Sequence, residues 1–229
     1  MVTEQLTLHF GWGDSFSFAN YYPGGNEAAL YCVQQAAAGE GEHVVMLWGA
    51  AGSGKSHVLQ AACQEAAEAG RTVAYLPLLE LADYGVEMLE GLENMGLVCI
   101  DDLQCVAGRR HWEDALFHLY NRMRETGNTL LVGADASPAA LAIELPDLRS
   151  RLAWGPVFQL AELDDQAKLA VLRRRAAARG FELPAEVALY LLRRSARDMA
   201  SLLALLDKLD EQSLVQQRKL TIPFVRNLL

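Results

Sequence analysis

The sequence predicts an α/β fold, in which a parallel β-sheet is covered by helices on both faces and is followed by a small all-helical domain. Two observations predict the sheet. Short apolar segments alternate with helical patterns up to about residue 160, and a glycine-rich loop joins the first of these segments to a helix. A third observation predicts the second domain, because only helical patterns remain from residue 164 onward.

The first strand and helix enclose a phosphate-loop motif. The apolar segment 44–48 is the predicted strand, and the predicted helix runs over 55–69. Glycines between them allow backbone N–H groups to turn toward a phosphate, and the helix N-terminus adds partial positive charge. We expect Lys55 to reach the β- and γ-phosphates and the Ser56 hydroxyl to bind Mg²⁺. The candidate nucleotide-binding residues here are Gly49, Ala50, Ala51, Gly52, Ser53, Gly54, Lys55, Ser56 and His57. The motif predicts a nucleotide-binding protein.

The rest of the sheet domain contains four further strand candidates. They are residues 72–76, 97–100, 129–134 and 157–160. The segment 112–124 has a helical pattern, and its apolar face contains Leu116, Leu119, Tyr120 and Met123. This is the pattern of a helix that packs on a sheet.

The second domain is predicted to consist of helices alone. The patterns cover residues 164–179, 184–194, 197–213 and 221–229. Gly180 and Pro184 are the stop and start signals between the first two of these helices.

Acidic residues follow two of the predicted strands. The apolar strand 97–100 ends in Asp101 and Asp102, so both carboxylates are expected at the carboxyl edge of the sheet. We expect Asp101 to hold Mg²⁺ through water, and Asp102 to orient or deprotonate an attacking water. Asp135 follows the strand 129–134 and has two interpretations: contact with the γ-phosphate, or capping of the turn that comes next.

Composition restricts the class of protein. Hydrophobic residues make up 52% of the chain, yet no apolar run approaches the ~20 residues that a membrane-spanning helix needs. The first ten residues contain no Lys or Arg, unlike a signal peptide. The four cysteines show no C-x-x-C spacing and lie in apolar surroundings, which favours reduced core thiols. We therefore expect a cytoplasmic protein without a membrane partner.

Charge is divided unevenly along the chain. Residues 1–148 contain 6 Lys and Arg against 20 Asp and Glu, whereas residues 149–229 contain 14 against 9. The net charge of the whole chain is −9, which argues against a protein dedicated to duplex DNA. The basic C-terminal part is expected to face the acidic domain, a nucleotide or an acidic partner.

Two arginines are candidates for phosphate contacts. Arg151 follows the strand 129–134 by one loop and one helix, and Arg197 lies at the start of the third C-terminal helix. The planar guanidinium group suits terminal phosphates because its fork geometry matches their oxygens. A surface salt bridge is the alternative for either residue.

These motifs, in this order, resemble an AAA+ ATPase of the bacterial DnaA initiator clan over about residues 16–229. The stretches that carry the resemblance are FSFANYYPG (16–24), GKSHVL (54–59), VCIDD (98–102), LPDLRSRLAWG (145–155), RGFELP (179–184) and QRKLTIPFV (217–225). The resemblance implies an adenine pocket formed by the segment that contains Phe18, Tyr22 and Pro23. It also implies a sensor at Asp135, an arginine finger acting in trans at Arg151, and a second sensor at Arg197.

The resemblance also suggests a division of the chain. We expect a clamp-binding tail over 1–15, an AAA+ domain over 16–160 and a helical lid over 161–229. DnaA-type initiators continue after the lid into a helix-turn-helix domain, whereas this sequence ends at Leu229. We therefore expect no direct reading of origin DNA, and contact with DNA mainly through a sliding clamp.

The predicted tail resembles the short peptide by which replication proteins dock on the sliding clamp. Its candidate residues are Gln5, Leu6, Leu8 and Phe10. Leu8 and Phe10 would fill an apolar pocket while the Gln5 amide forms hydrogen bonds at the rim. His9 stands where the family usually has proline, and a disordered tail is the alternative.

Three functions are compatible with the sequence. The first is a regulator, tethered to the clamp, that presents Arg151 to ATP held by the DnaA initiator, stimulates its hydrolysis and so prevents re-initiation. The second is an autonomous ATPase or helicase loader, working as a homodimer or higher homo-oligomer, although Asp102 is shorter than the glutamate often found there. The third, a small-molecule kinase, is disfavoured by the C-terminal helices. Whether ADP, ATP or another diphosphate is bound stays open. Arg149 is the alternative to Arg151 as the arginine finger.

Overall fold

The computed structural model describes residues 16–194, 199–216 and 221–226. Its centre is a five-stranded parallel sheet with the strand order β2-β3-β4-β1-β5. The strands are β1 (Val44–Trp48), β2 (Val73–Pro77), β3 (Leu97–Asp101), β4 (Thr129–Ala134) and β5 (Val157–Gln159). This confirms the predicted parallel α/β sheet.

Helices lie before and between these strands, and only helices follow β5 in the described residues. The α-helices are α1 (Glu27–Ala38), α2 (Lys55–Glu68), α3 (Leu78–Leu81), α4 (Arg110–Thr126), α5 (Pro146–Leu152), α6 (Asp165–Ala178), α7 (Ala185–Arg194), α8 (Met199–Gln216) and α9 (Ile222–Arg226). Short 3₁₀ helices cover Phe18–Asn20, Val86–Leu89, Leu92–Asn94 and Leu103–Cys105.

The sheet is apolar on both faces because successive side chains of a strand point to opposite sides. In β1, Val44 and Met46 join the core that contains residues of α4 and α5. Val45 and Leu47 join a second core, formed with α1 and α2. The central strands therefore read as continuous apolar runs, as expected for a sheet buried on both faces.

β1 and β4 match their predictions, and most other predicted boundaries lie within two residues of those in the structure. The helix predicted over 197–213 is α8, which ends three residues later than predicted, and the predicted end of the last helix lies outside the described residues. The helix predicted over 112–124 begins earlier and ends later, and Gly127 stops it in the left-handed conformation with φ 71°. Helices α1 and α3 were not predicted from the sequence.

The C-terminal helices α6–α9, which we call the lid, have their own apolar core. Asp164 caps the N-terminus of α6, where its carboxylate accepts a hydrogen bond from the Ala167 N–H at 2.7 Å. The fully buried residues of this core are supplied mainly by leucines, among them Leu172, Leu191, Leu202 and Leu206. None of the helices in the described ranges is long and apolar enough to cross a bilayer.

A buried carboxylate fixes the start of α5, the helix that contains Arg151. Glu113 of α4 is 1% exposed. Its carboxylate oxygens accept hydrogen bonds from the N–H groups of Gly108 at 2.8 Å, Glu144 at 3.0 Å and Leu145 at 2.7 Å. Since an unpaired buried N–H is costly, this one side chain ties two loops to α4.

We predict that Glu113→Ala lowers the free energy of unfolding by about 3 kcal/mol or more, because three N–H groups lose a charged acceptor. Urea denaturation measures the change. Glu113→Gln retains one carbonyl acceptor, so an intermediate loss is expected. The control is Asp114→Ala, which removes only a surface ion pair with Arg110. Equal stability of Glu113→Ala and the parent protein would contradict this role.

Candidate nucleotide-binding site

The phosphate loop lies between β1 and α2, and its glycines allow very close packing. Gly54 has φ 96°, and a Cβ atom there would lie 2.8 Å from the Tyr21 ring. A Cβ atom at Gly49 would lie 2.7 Å from the carbonyl oxygen of Leu160. Larger residues at either position would displace the neighbouring backbone or ring, so the loop requires glycine there.

Lys55, the first residue of α2, is folded into the loop. Its Nζ donates hydrogen bonds to the carbonyl oxygens of Gly49 at 2.7 Å and Ala50 at 3.0 Å. Burial lowers the pKa of Lys55, while the negative charges of three aspartates act in the opposite direction; these are Asp101, Asp102 and Asp135. The ammonium group therefore lies close to the acidic carboxyl edge of β3 and β4.

Asp101 ends β3, and both of its carboxylate oxygens are engaged. Oδ2 accepts a hydrogen bond from the Tyr75 hydroxyl at 2.9 Å, and Oδ1 accepts one from the Asp102 N–H at 3.0 Å. A Cβ atom at Gly133 would lie 2.6 Å from Oδ1, so glycine on the neighbouring strand leaves room for this carboxylate. Burial and the nearby Asp101 charge raise the pKa of Tyr75. The Tyr75 hydroxyl therefore stays protonated and can donate to Asp101.

Asp102 is the one described non-glycine residue with a positive φ, at 56°. Its Oδ1 accepts a hydrogen bond from Gln104 Nε2 at 2.9 Å. Gln104 Oε1 in turn accepts one from the Asp135 N–H at 3.1 Å. Gln104 thus links the ends of β3 and β4, a role that sequence analysis missed because nothing local in the sequence indicates it.

A cavity of about 450 Å³ opens beside the loop, between the sheet domain and the lid. The predicted nucleotide-binding residues that line it are Tyr22, Gly52, Ser53, Gly54, Lys55, Ser56 and His57. Other predicted residues are not part of its lining: Phe18, Pro23, Gly49, Ala50, Ala51 and Asp135. Phe18 instead packs against the core formed with α1 and α2.

The lid supplies a wall that sequence analysis missed. Its lining residues are Val171, Arg175, Met199, Leu203, Ala204 and Asp207, and Leu163 lines the cavity just before α6. Val171 and Arg175 are four residues apart on α6, and Met199, Leu203 and Asp207 repeat every four residues on α8, so each set shares one helical face. This spacing of four residues could have indicated a shared helical face, but the sequence does not indicate what that face contacts.

The segment before α1 closes another side of the cavity. His57 Nε2 lies 3.0 Å from the carbonyl oxygen of Ser17, which can only accept a hydrogen bond, so the ring donates. The rings of Phe16 and Tyr21 meet His57 edge-on at 5.4 and 5.3 Å. Burial lowers the pKa of His57, so the neutral imidazole is favoured.

The donors of this site fit a nucleotide with Mg²⁺. Ser53 Oγ is buried and has no hydrogen-bond partner among the described residues, although it lies in the cavity wall. The aromatic and aliphatic wall suits a base and ribose, whereas the loop and Lys55 suit phosphates. The Ser56 hydroxyl and the Asp101 carboxylate are the hard oxygen donors that Mg²⁺ prefers.

The two candidate finger arginines differ sharply in their surroundings. Arg149 of α5 donates a hydrogen bond to the carbonyl oxygen of Ile143. The Arg151 guanidinium lies over the ring of Trp154, with its carbon 4.7 Å from the ring centroid. Arg151 does not line the cavity. Further predicted site residues lie outside the described residues: Arg197, Gln5, Leu6, Leu8 and Phe10.

The sequence profile of the bacterial DnaA ATPase domain matches residues 13–159, and that of the Hda lid domain matches residues 165–229. Domain III of the Thermotoga maritima replication initiation protein DnaA is similar in structure, with a TM-score of 0.80, 22% identity, and coverage of 95% of this chain and 96% of that chain. The same fold occurs in DnaA from Aquifex aeolicus bound to AMPPCP (TM-score 0.69, 24% identity, coverage 83% and 64%). It also occurs in the T. maritima RuvB Holliday junction branch migration motor (TM-score 0.69, 18% identity, coverage 93% and 70%).

The DnaA profile alone matches more than half of the chain, and the AAA+ neighbours share its parallel sheet followed by helices. The chain therefore belongs to the bacterial DnaA-related family of AAA+ proteins, with a lid of the Hda type.

Proposed function

We propose that this protein is an AAA+ regulator that stimulates hydrolysis of the ATP bound to the initiator DnaA and thereby prevents re-initiation of replication. One observation carries the proposal: Arg151 lies outside the protein's own cavity, over the ring of the exposed Trp154. An arginine in this position can be offered to a nucleotide held by a second molecule. Such an arginine in trans stabilises charge that develops in the transition state.

The protein's own cavity is proposed to hold ADP or ATP with Mg²⁺. Lys55 and the loop N–H groups would meet the phosphates, and Ser56 and Asp101 would hold the metal ion, which neutralises phosphate charge when it is bound. Asp135 and Arg197 would sense the nucleotide from the sheet and the lid. The presence of AMPPCP in two similar DnaA structures supports a nucleotide in this chain as well.

The proposed division of the chain gives each part a task. Residues 16–160 form the AAA+ domain, 161–229 form the lid, and 1–15 dock on the sliding clamp. A clamp on DNA would bring this cytoplasmic protein to the initiator, so that direct contact with DNA is secondary.

We predict that Gln5→Ala combined with Leu8→Ala abolishes capture of the protein by immobilised clamp, because the peptide loses both its rim hydrogen bonds and an apolar anchor. The control is Thr3→Ala combined with Thr7→Ala, which changes two residues of the same tail that are not anchor positions and should leave capture intact. The affinity for ADP should not change in either variant. Unchanged capture of the first variant would refute the docking peptide.

An autonomous ATPase is the second candidate, and the three aspartates near Lys55 favour it. It would use Asp102 to activate water, and Arg151 from a neighbouring copy of this chain. The Asp102 carboxylate, however, already accepts the Gln104 amide.

The two functions are separated by measuring ATP turnover while components are left out. Initiator loaded with ATP is incubated with this protein, with clamp on DNA, with both or with neither. The regulator predicts rapid conversion of initiator-bound ATP only when both are present. The autonomous enzyme predicts turnover by this protein alone that rises steeply with its own concentration, since a neighbouring copy supplies the arginine.

A further inference from the structure

Trp154, which follows α5, is 65% exposed and has two arginine partners. The guanidinium carbon of Arg124 lies 4.9 Å from the ring centroid, and that of Arg151 lies 4.7 Å from it. The faces of an indole ring attract cations, so each contact is favourable by itself. The end of α4 and the end of α5 thus bring two positive charges to one exposed aromatic residue.

No carboxylate within the described residues forms an ion pair with either arginine. Both guanidinium groups also act on Tyr120 of α4: burial raises the pKa of its hydroxyl, while the charges of Arg124 and Arg151 and a hydrogen bond with the Arg124 side chain lower it. Because both guanidinium groups lie against the Trp154 ring and both act on the Tyr120 hydroxyl, the two positive charges lie near each other. The surface they form with Trp154 has an excess of positive charge.

A hydrogen bond with Tyr120 gives Arg124 one structural role, but it does not explain why both arginines share one exposed ring. Trp154 is too exposed to be a core residue. The other two arginines of α4 are neutralised, since Arg110 pairs with Asp114 and Arg122 pairs with Glu93. Arg124 benefits from its place near the helix C-terminus, but that benefit does not require a shared aromatic ring.

We propose that Arg124, Trp154 and Arg151 form one docking surface for the polyphosphate of a nucleotide held by the partner AAA+ molecule. Trp154 is the positioning residue that orients the Arg151 guanidinium, and Arg124 provides a second cationic contact with the phosphates. A polyphosphate suits this pair because it carries several negative oxygens that two guanidinium forks can share. The inference rests on the proposed function and adds Arg124 and Trp154 to it.

The first test uses the free protein and does not depend on the partner. After each ion's quenching of free N-acetyltryptophanamide is divided out, iodide should quench the fluorescence of Trp154 more strongly than caesium does, because two nearby cations attract the anion. The Trp154 signal is obtained by subtracting that of Trp154→Phe. Arg124→Ala and Arg151→Ala should each reduce the advantage of iodide, whereas Arg149→Ala should not. Equal quenching by the two ions in the parent protein would overturn the proposed surface.

The second test measures stimulated hydrolysis of initiator-bound ATP. Trp154→Ala should lower the maximal rate about three- to tenfold, and Trp154→Phe should restore most of it because a ring face is retained. Arg124→Ala should leave the maximal rate unchanged. It should raise several-fold the concentration of this protein that gives half the maximal rate, and it should weaken the dependence of that concentration on salt. The control is Arg110→Ala, which removes a neutralised arginine from the same helix.

These outcomes separate the inference from the function on which it rests. If Arg151→Ala abolishes stimulation while the Trp154 and Arg124 variants behave like the parent protein, the docking surface is wrong and the regulator stands. If neither Arg151→Ala nor Arg149→Ala lowers the stimulation, the regulator itself is wrong. Unchanged thermal unfolding midpoints in the variants would show that the exposed substitutions leave the fold intact.

Discussion

Replacing Lys55 with alanine should weaken ADP binding by about tenfold to 150-fold. The loss of a hydrogen bond to a charged group costs ~1.5–3 kcal/mol, and each 1.36 kcal/mol corresponds to a factor of ten. Lys55 is 7% exposed and already held in the loop by two carbonyl oxygens. Because the Lys55 side chain is already held in place, it loses little conformational entropy when it binds a phosphate. Isothermal titration calorimetry measures the change.

The matched control is Lys208→Ala, which removes an exposed lysine of α8 that does not line the cavity. Its ADP affinity should equal that of the parent protein. Binding of ADP to Lys55→Ala with unchanged affinity would show that the phosphates lie elsewhere.

Replacing Arg151 with alanine should reduce the stimulated hydrolysis of initiator-bound ATP by ~10³ or more, the lower end of the effect of arginine fingers. The reason is that the guanidinium group stabilises charge only in the transition state on the partner molecule. Arg151 lies over Trp154 and outside the cavity, so affinities for ADP and for clamp should not change. A single-turnover assay with initiator preloaded with ATP gives the rate.

Arg149→Ala is the control for this prediction, because the residue lies on the same short helix. Its guanidinium group donates to the carbonyl oxygen of Ile143, so its loss should affect local stability more than the rate. If the rate falls in Arg149→Ala but is unchanged in Arg151→Ala, Arg149 is the finger and Arg151 is not.

Much of the fold could be predicted because its determinants are local. A strand buried on both faces is an uninterrupted apolar run, as in β1 and β4, and the phosphate loop is one continuous motif. Helix ends were predictable where glycine or proline marks them, as at Gly180. The position of the acids at the carboxyl edge of the sheet followed from the parallel topology alone.

The features that could not be predicted depend on contacts between distant parts of the chain. Glu113 is an ordinary acidic residue of an amphipathic helix until the loop before α5 folds onto it. Gln104 joins two strand ends that are separated in sequence. The lid residues that line the cavity have a helical spacing of four, but only the packing of α6 and α8 decides that they face the phosphate loop.

The central claim is that this protein acts in trans, through Arg151, on ATP held by the initiator. The most direct measurement is release of radiolabelled phosphate from initiator preloaded with labelled ATP, after mixing with this protein preloaded with unlabelled ADP and with clamp on DNA. The claim predicts fast release with the parent protein and background release with Arg151→Ala. Equally fast release with both proteins, or background release with both, would contradict it.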